Sequence, residues 1–409
     1  MVKNAVSLLV GLLFCCVLGL TIQSSIASAE VVPGDILTID NIGEKAKGLF
    51  PPSHLEWLKG YGKDLRIEVV ETKHFTYSKG YREATEKYLG QVKLTPDGEL
   101  LNWVAGQPFP EIDPGEPRAG VKVAWNFEKA YVGDDHYTAG WVIPIIDKQG
   151  NTRVIGASKY GWSVYKVSGR TDIPPIPEIT PNPEGISHYT LIFIDKPYDI
   201  RGLGNLQIRY NDPKRRDDTY AYIPGLRRIR RLSAGQRGDA MFGSDMCLDD
   251  IHGYSGRIGE NTYKLLGEQV ILACTQPTYP EGVPFPMGFN VGRVMGMRDI
   301  WDKRPCWVLE FISKDPRYVY SKRIVWIDKE CYHILYQEIY DRRGDLWKIN
   351  QRWKNRSPWG GIEIAEDNCL LQHDLLSGST TIGQLWGTRY NTNMPRSVFS
   401  LGAMSLRAR

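Results

Sequence analysis

Four arginines crowd the segment Tyr222-Ile-Pro-Gly-Leu-Arg-Arg-Ile-Arg-Arg-Leu232. A guanidinium is a planar, permanently charged fork that grips a phosphate or carboxylate through two parallel hydrogen bonds. Read as a strand, the segment places Arg228 and Arg230 on one face and Arg227, Ile229 and Arg231 on the other. Arg228 and Arg230 are therefore the candidates for holding an anionic head group at a cavity rim. The same pattern also describes an outer strand face that is only solvated. Downstream, Asp245, Asp249, Asp250 and His252 concentrate hard oxygen ligands and an imidazole in eight residues, the best metal candidate in the chain. Asp249 and Asp250 read more simply as salt-bridge partners of the arginine stripe, and no metal is expected.

Other chemistry finds little support. The seven histidines, His54, His74, His136, His188, His252, His333 and His373, show neither His-x-His nor His-x-x-x-His spacing. Gly253-Tyr-Ser-Gly256 and Gly161-Trp-Ser163 do not form the Gly-x-Ser-x-Gly elbow that exposes a nucleophilic serine. Gly202-Leu-Gly204 lacks the third glycine of a dinucleotide site and reads as a turn before a strand. Neither an enzyme nor a cofactor is expected.

The first residues combine Lys3, an apolar run over 5–22 and a small-x-small site at Ala27-Ser-Ala29, the pattern of a cleaved export signal over residues 1–29. A retained anchor, or a lipid on Cys15, would be the alternatives, the latter opposed by the bulky Phe14. Removal of Lys3 leaves 50 basic against 47 acidic side chains, a balance that does not point to nucleic acid. Of the seven cysteines, Cys247, Cys274, Cys306, Cys331 and Cys369 follow the leader without a Cys-x-x-Cys. They read mainly as small buried residues, with their pairing not legible.

The elements that would position these groups change in texture along the chain. Helical spacing marks 44–60, interrupted at Pro51-Pro52, and 81–93, so the portion 30–110 is partly helical. Beyond it, period-two strands dominate. Tyr189, Leu191 and Phe193 oppose Ile192 and Ile194; Leu206, Ile208 and Tyr210 alternate with Gln207 and Arg209; Trp307, Leu309 and Phe311 repeat the pattern. Residues 318–328, 332–340 and 346–349 form a meander with short polar turns. The proline-rich stretches Pro174–Pro183 and Pro277–Pro286 cannot be central strands. With 12 Trp and 22 Tyr, one sheet face could line an amphiphile pocket, with Trp326 and Tyr336 as its candidate lining, although ordinary core packing accounts for most such residues.

Taken in order, Ala105-Gly-Gln-Pro-Phe-Pro110, Ala119-Gly-Val-Lys-Val-Ala-Trp-Asn126, Arg201-Gly-Leu-Gly204, the stripe Tyr222–Leu232 and Gly243-Ser-Asp245 resemble the DUF1329 family of exported bacterial proteins. The meander, with Val325-Trp-Ile-Asp328, Glu338-Ile-Tyr-Asp341 and Gly344-Asp-Leu-Trp-Lys348, is similar to lipoprotein carriers of the LolA/LolB type. That resemblance implies a single domain over 30–409, mainly β with some α: a large curved antiparallel sheet forming an unclosed β-barrel, with helices plugging the concave side around an acyl-chain cavity. It further implies a periplasmic carrier for a lipid or other amphiphile, working beside an RND-type exporter and a DUF1302-type outer-membrane protein. A scaffold that docks a membrane partner through sheet edges and the arginine stripe, without holding a ligand, is the rival expectation.

Overall fold

The computed structural model describes residues 30–60, 65–157, 160–276 and 300–407. The leader expected over 1–29 and the stretch Pro277–Pro286 lie outside the described residues. The N-terminal portion runs β1 (Ile36–Thr38), α1 (Ile42–Lys45), α2 (Pro52–Lys59), β2 (Arg66–Val69), α3 (Lys79–Lys87), β3 (Lys93–Leu94), β4 (Leu100–Leu101) and α4 (Ala119–Glu128). There follow β5 (Asp135–Tyr137), β6 (Gly140–Ile146), β7 (Thr152–Ala157), β8 (Trp162–Lys166), β9 (Ile186–Phe193), β10 (Gly204–Tyr210), β11 (Asp218–Ile223) and β12 (Arg228–Arg231). The last part holds β13 (Asn261–Ala273), β14 (Ile300–Ser313), β15 (Lys322–Asp328), β16 (Ile334–Tyr340), β17 (Leu346–Trp359), β18 (Ile362–Asp374), β19 (Thr380–Trp386), β20 (Arg389–Tyr390) and α5 (Leu401–Arg407).

Among the described residues, eleven strands form one open sheet in the order β1-β2-β14-β15-β16-β17-β18-β19-β6-β7, with β13 also paired to β14. The pairing is antiparallel except where β2 joins β14. A second sheet has the order β12-β11-β10-β9-β8-β5-β20. The chain thus crosses between the two sheets five times, which ties them together. The expected architecture, mostly β with few helices and a large sheet not closed into a barrel, is what the chain adopts.

Local chemistry accounts for the helices. Pro52 opens α2 at a position where its missing N–H is not needed. Ser78 caps α3 by accepting from Tyr81 N, and that helix stops at Lys87, six residues short of the expected end, because Gly90 turns the chain with a positive φ of 76°. Helix α4 lies directly on β13 and β14. A Cβ at Gly120 would come within 3.0–3.1 Å of Leu265 N, Leu309 Cδ1 and Tyr263 O, so glycine allows this close approach.

The large sheet is covered on both faces. On one, Phe50, Leu55 and Leu58 from α2 and its approach pack against Trp301, Trp326, Tyr336 and Trp353. On the other, Val123, Ala124 and Phe127 of α4 meet Leu309, Phe311, Val325 and Ile334. Further along, Trp162, Val164 and Ile192 of the second sheet join Trp141, Ile155 and Leu385. The opposite face of the second sheet, with Tyr165, Tyr189, Leu191, Phe193 and Leu206, is closed by Met394, Phe399 and Met404 from the C-terminal segment. The meander is formed as expected, except that β15 begins at Lys322 rather than at Tyr318.

Candidate functional site

The period-two alternation of the second sheet separates an aromatic face from a polar one. Val164 and Lys166 on β8, His188 and Thr190 on β9, and Gln207 and Arg209 on β10 line a cavity of about 130 Å³ whose other wall includes His333, Lys354 and Asp367 of the large sheet. Phe127, Glu128 and Lys129, at the end of α4, and Ile251, His252, Tyr254 and Ser255 complete it. Through Trp103, Glu128, Lys129, Ser168, Gly169, Ser187 and Arg209 this inner chamber adjoins an outer one of about 570 Å³. The outer chamber is two-sided in chemistry. Leu100, Trp103, Val104, Trp125 and Ile258 supply an apolar side; Arg209, Lys214, Arg216, Arg257 and Glu260 supply a charged one. Gly169, with φ of 71°, lets the Trp103 ring approach so closely that a Cβ would lie 2.4 Å from it.

The inner chamber carries Lys129, Lys166, Arg209 and Lys354 against the carboxylates of Glu128 and Asp367. Arg209 is well compensated: it donates to Asp217 Oδ2 at 2.8 and 3.0 Å and to Glu128 Oε1 at 3.1 Å. Lys354 pairs with Asp367, which also takes Arg352 at 2.8 Å. Lys129 is compensated poorly, its Nζ 4.0 Å from Glu128 and 4.5 Å from the Trp103 ring centre. Burial pulls its ammonium down to about 8, Glu128 opposing and Arg209 and Lys166 adding to the downward push. Lys166 is lowered by burial as well, and His188 is held well below its ordinary range by burial and by the Arg209 and Lys129 charges. His188 is therefore neutral at pH 7.

Next to this chamber, a small space is bordered by His136, His252, His333, Glu366 and Asp367. Glu366 accepts from Tyr390 Oη at 3.2 Å and has no ion pair among the described residues. Burial pushes its carboxyl up to about 7, with hydrogen bonds opposing. The folded state thus keeps this proton over a range in which the unfolded chain, near 4.5, has lost it. Stability contributed by the protonated carboxyl is present at low pH and declines as pH rises to about 7, in all by about 3 kcal/mol at ~1.36 kcal/mol per unit. Glu366→Gln should accordingly match the wild type near pH 4.5 and exceed its stability increasingly toward pH 8, as read from urea denaturation at each pH. A difference that does not vary with pH would sink this assignment.

The residues singled out in the sequence are placed as follows. The stripe is a hairpin rather than one strand: a 3-10 turn at Pro224–Leu226 and a left-handed Arg227 separate β11 from β12. Arg228 and Arg230 lie exposed on β12, the last strand of its sheet, and line neither chamber. Asp249 and Asp250 do not pair with the stripe. Both are buried, and their partners are Arg237 at 3.2 Å and Arg323 at 2.8 Å, because the loop folds inward onto the large sheet. Within the stripe it is Arg231 that finds a carboxylate, Asp218. Asp245 accepts from the Thr381 and Ser379 hydroxyls while His252 turns toward Asp367, so the four candidate ligands are dispersed. Trp326 and Tyr336 sit in the packed layer under α2, where Trp326 donates to Gln269 Oε1 at 2.7 Å and Tyr336 to Leu272 O at 2.8 Å. The five cysteines are buried, and burial raises the thiols of Cys247, Cys306 and Cys331 well above their ordinary range.

An open, mostly β sheet faced by a second sheet, with a charged chamber between them, defines the class of this molecule. The chain belongs to the DUF1329 family, described as proteins of unknown function, which it matches over residues 37–404. It is 25% identical over 365 residues to the uncharacterized protein PA3922 of Pseudomonas aeruginosa, covering 84% of this chain and 73% of that one. Its fold is similar to that of a proposed outer membrane lipoprotein-sorting protein domain from Vibrio parahaemolyticus, with a TM-score of 0.50 and 20% identity over 71% of this chain and 100% of that domain. A DUF1329 family protein from Desulfovibrio piger is similar at a TM-score of 0.49 and 20% identity, over 70% of this chain and 98% of the other.

Proposed function

We propose that the protein is a periplasmic carrier for an amphiphile, which it holds in the two adjoining chambers beside its second sheet and the end of α4. The observation that carries this reading is the outer chamber, whose volume of about 570 Å³ suits a ligand of moderate size and whose sides are apolar and charged. An acyl chain laid along Trp103, Trp125 and Ile258 gains ~0.8 kcal/mol per buried methylene, so eight to ten carbons offset a sizeable association cost. The similarity of fold to a proposed lipoprotein-sorting domain is consistent with work in the envelope. An RND-type exporter as donor and a DUF1302-type outer-membrane protein as acceptor complete the reading.

The test is native mass spectrometry of protein purified from its own periplasm, followed by lipid extraction. A defined lipid adduct is the expected result. A clean apo mass that stays clean after incubation with envelope lipids would overturn the proposal. That outcome would favour the docking scaffold, which the exposed Arg228 and Arg230 and the packed layer around Trp326 and Tyr336 support.

A further inference from the structure

We infer that the inner chamber is a phosphate site, in which Lys129 and Lys166 grip the anionic head of the carried amphiphile, with His188 and the hydroxyls of Ser168 and Ser187 beside them. This assignment deepens the carrier reading and rests on it. It begins from an imbalance. Buried cations elsewhere in the molecule are matched closely: Arg170 by the Lys166 and Ile173 carbonyls at 2.8 and 2.9 Å, Arg304 by Asp328 at 2.6 Å, Arg323 by Asp250 at 2.8 Å, and Lys348 by Asp245 O at 2.6 Å. Lys166 and Lys129 are half-buried and held less closely: the charges of Asp134, Asp172 and Glu128 act on Lys166 without an ion pair among the described residues, and Glu128 stands 4.0 Å from Lys129 Nζ. Drawing a cation even partly out of water is costly where its counter-charge is distant, and the two ammoniums border the same chamber. A fold retains such a pair when something else supplies the counter-charge.

The surroundings suit a phosphate better than a metal or a cationic ligand. Lysine ammoniums are compact, strongly hydrated donors with three protons each, well matched to a multiply charged oxyanion. Neutral His188, whose Nδ1 lies 3.2 Å from Ser187 Oγ, adds hydrogen-bonding capacity without further charge. Glu128 is already engaged by Arg209, so it does not compete for the anion's place. The outer chamber opens from this point along Trp103, which gives a chain attached to the phosphate an apolar wall to follow.

The experiment compares binding of dodecyl phosphate, dodecanol and inorganic phosphate, below micelle concentration, to the delipidated protein and to K129M/K166M, with the melting temperature of K166M measured alongside. We expect dodecyl phosphate to bind the wild type at least about tenfold more tightly than dodecanol, and the double variant to lose that preference. We also expect K166M to melt higher than the wild type in the absence of ligand, since methionine removes a partly desolvated charge that has no close ion pair. Inorganic phosphate binding as tightly as dodecyl phosphate would assign the site to a free ion and overturn its role in holding a lipid head. Equal binding of dodecyl phosphate and dodecanol, unchanged in the double variant, would overturn the phosphate site while leaving the carrier reading intact. Failure of both amphiphiles to bind would remove the carrier reading and this assignment together. A K166M protein that melts lower than the wild type would show the lysine to be structural and would also overturn the inference.

Discussion

Arg323→Met is expected to destabilise the protein by about 3–5 kcal/mol, because it strips the counter-charge from a buried carboxylate. Arg323 is 3% exposed, forms an ion pair with Asp250 at 2.8 Å and donates to Gln337 Oε1 at 3.2 Å. Its guanidinium lies 4.7 Å from the Tyr320 ring centre and 5.5 Å from that of Tyr254. Asp250 is fully buried and accepts from Cys247 N, Gln372 Nε2 and Tyr320 Oη at 2.8, 3.0 and 3.2 Å. Those hydrogen bonds remain in the variant, but an anion held only by neutral donors inside the protein is under-compensated. The loop that Asp250 anchors also carries Ile251, His252, Tyr254 and Ser255 into the inner chamber, so ligand affinity should fall with stability. Urea denaturation of R323M, D250N and the double variant closes a thermodynamic cycle. The double is expected to cost clearly less than the two singles together; simple additivity would refute the coupling.

A loss of similar or greater size is expected from Asp367→Asn. One carboxylate on β18 serves two cations on β17: Arg352 at 0% side-chain exposure and Lys354 at 1%. Lys354 and Asp367 are direct cross-strand partners, which fixes their geometry through the backbone ladder. The two cations hold the Asp367 carboxyl well below its ordinary range despite its burial. A carboxyl lowered in this way contributes stability above its unfolded value and loses it as pH falls toward the folded one. Asparagine keeps the shape, removes the charge and leaves two buried cations facing each other, for an expected cost of about 3–5 kcal/mol at pH 7. The gap between wild type and D367N should narrow as the solution is acidified. Circular dichroism melts between pH 7 and pH 3 would show this, and a constant gap would mean that the cost is one of packing.

Much of the scaffold was legible because strand alternation is a local property. The faces of β9 and β10 follow from Tyr189, Leu191 and Phe193 and from Leu206, Ile208 and Tyr210, and the hairpin from β15 to β16 from its short polar turn. The chamber was not legible for the same reason. Alternation identifies His188, Gln207 and Arg209 as the polar side of a sheet, but only the tertiary fold reveals that a second sheet covers that side. Lys166 was equally hidden. Lys129 escaped because it follows helix α4, whose position against β13 and β14 comes from the tertiary fold and not from local spacing. The opposite charges of Lys354 and Asp367 face one another through a register that no single strand encodes. The arginine stripe drew notice by density alone, whereas its Pro224-Gly225 pair was the sign of the turn that divides it. A useful signal was nevertheless present: polar residues such as His188, Thr190, Gln207 and Arg209 alternate with large apolar ones on two successive strands, which marks a face of mixed character.

The exposed hairpin has one more consequence. β12 ends the order of its sheet, and a terminal strand offers unpaired backbone groups to any other extended chain that drifts alongside. Arg228 and Arg230 project from this strand and Arg227 from the turn before it, while Arg231 is paired with Asp218, so two copies approaching edge to edge would bring six cations together that have no ion pair among the described residues. At ~0.1–0.15 M salt such repulsion acts over roughly 8–10 Å, about two strand spacings. Such repulsion opposes edge-to-edge pairing of two copies through β12.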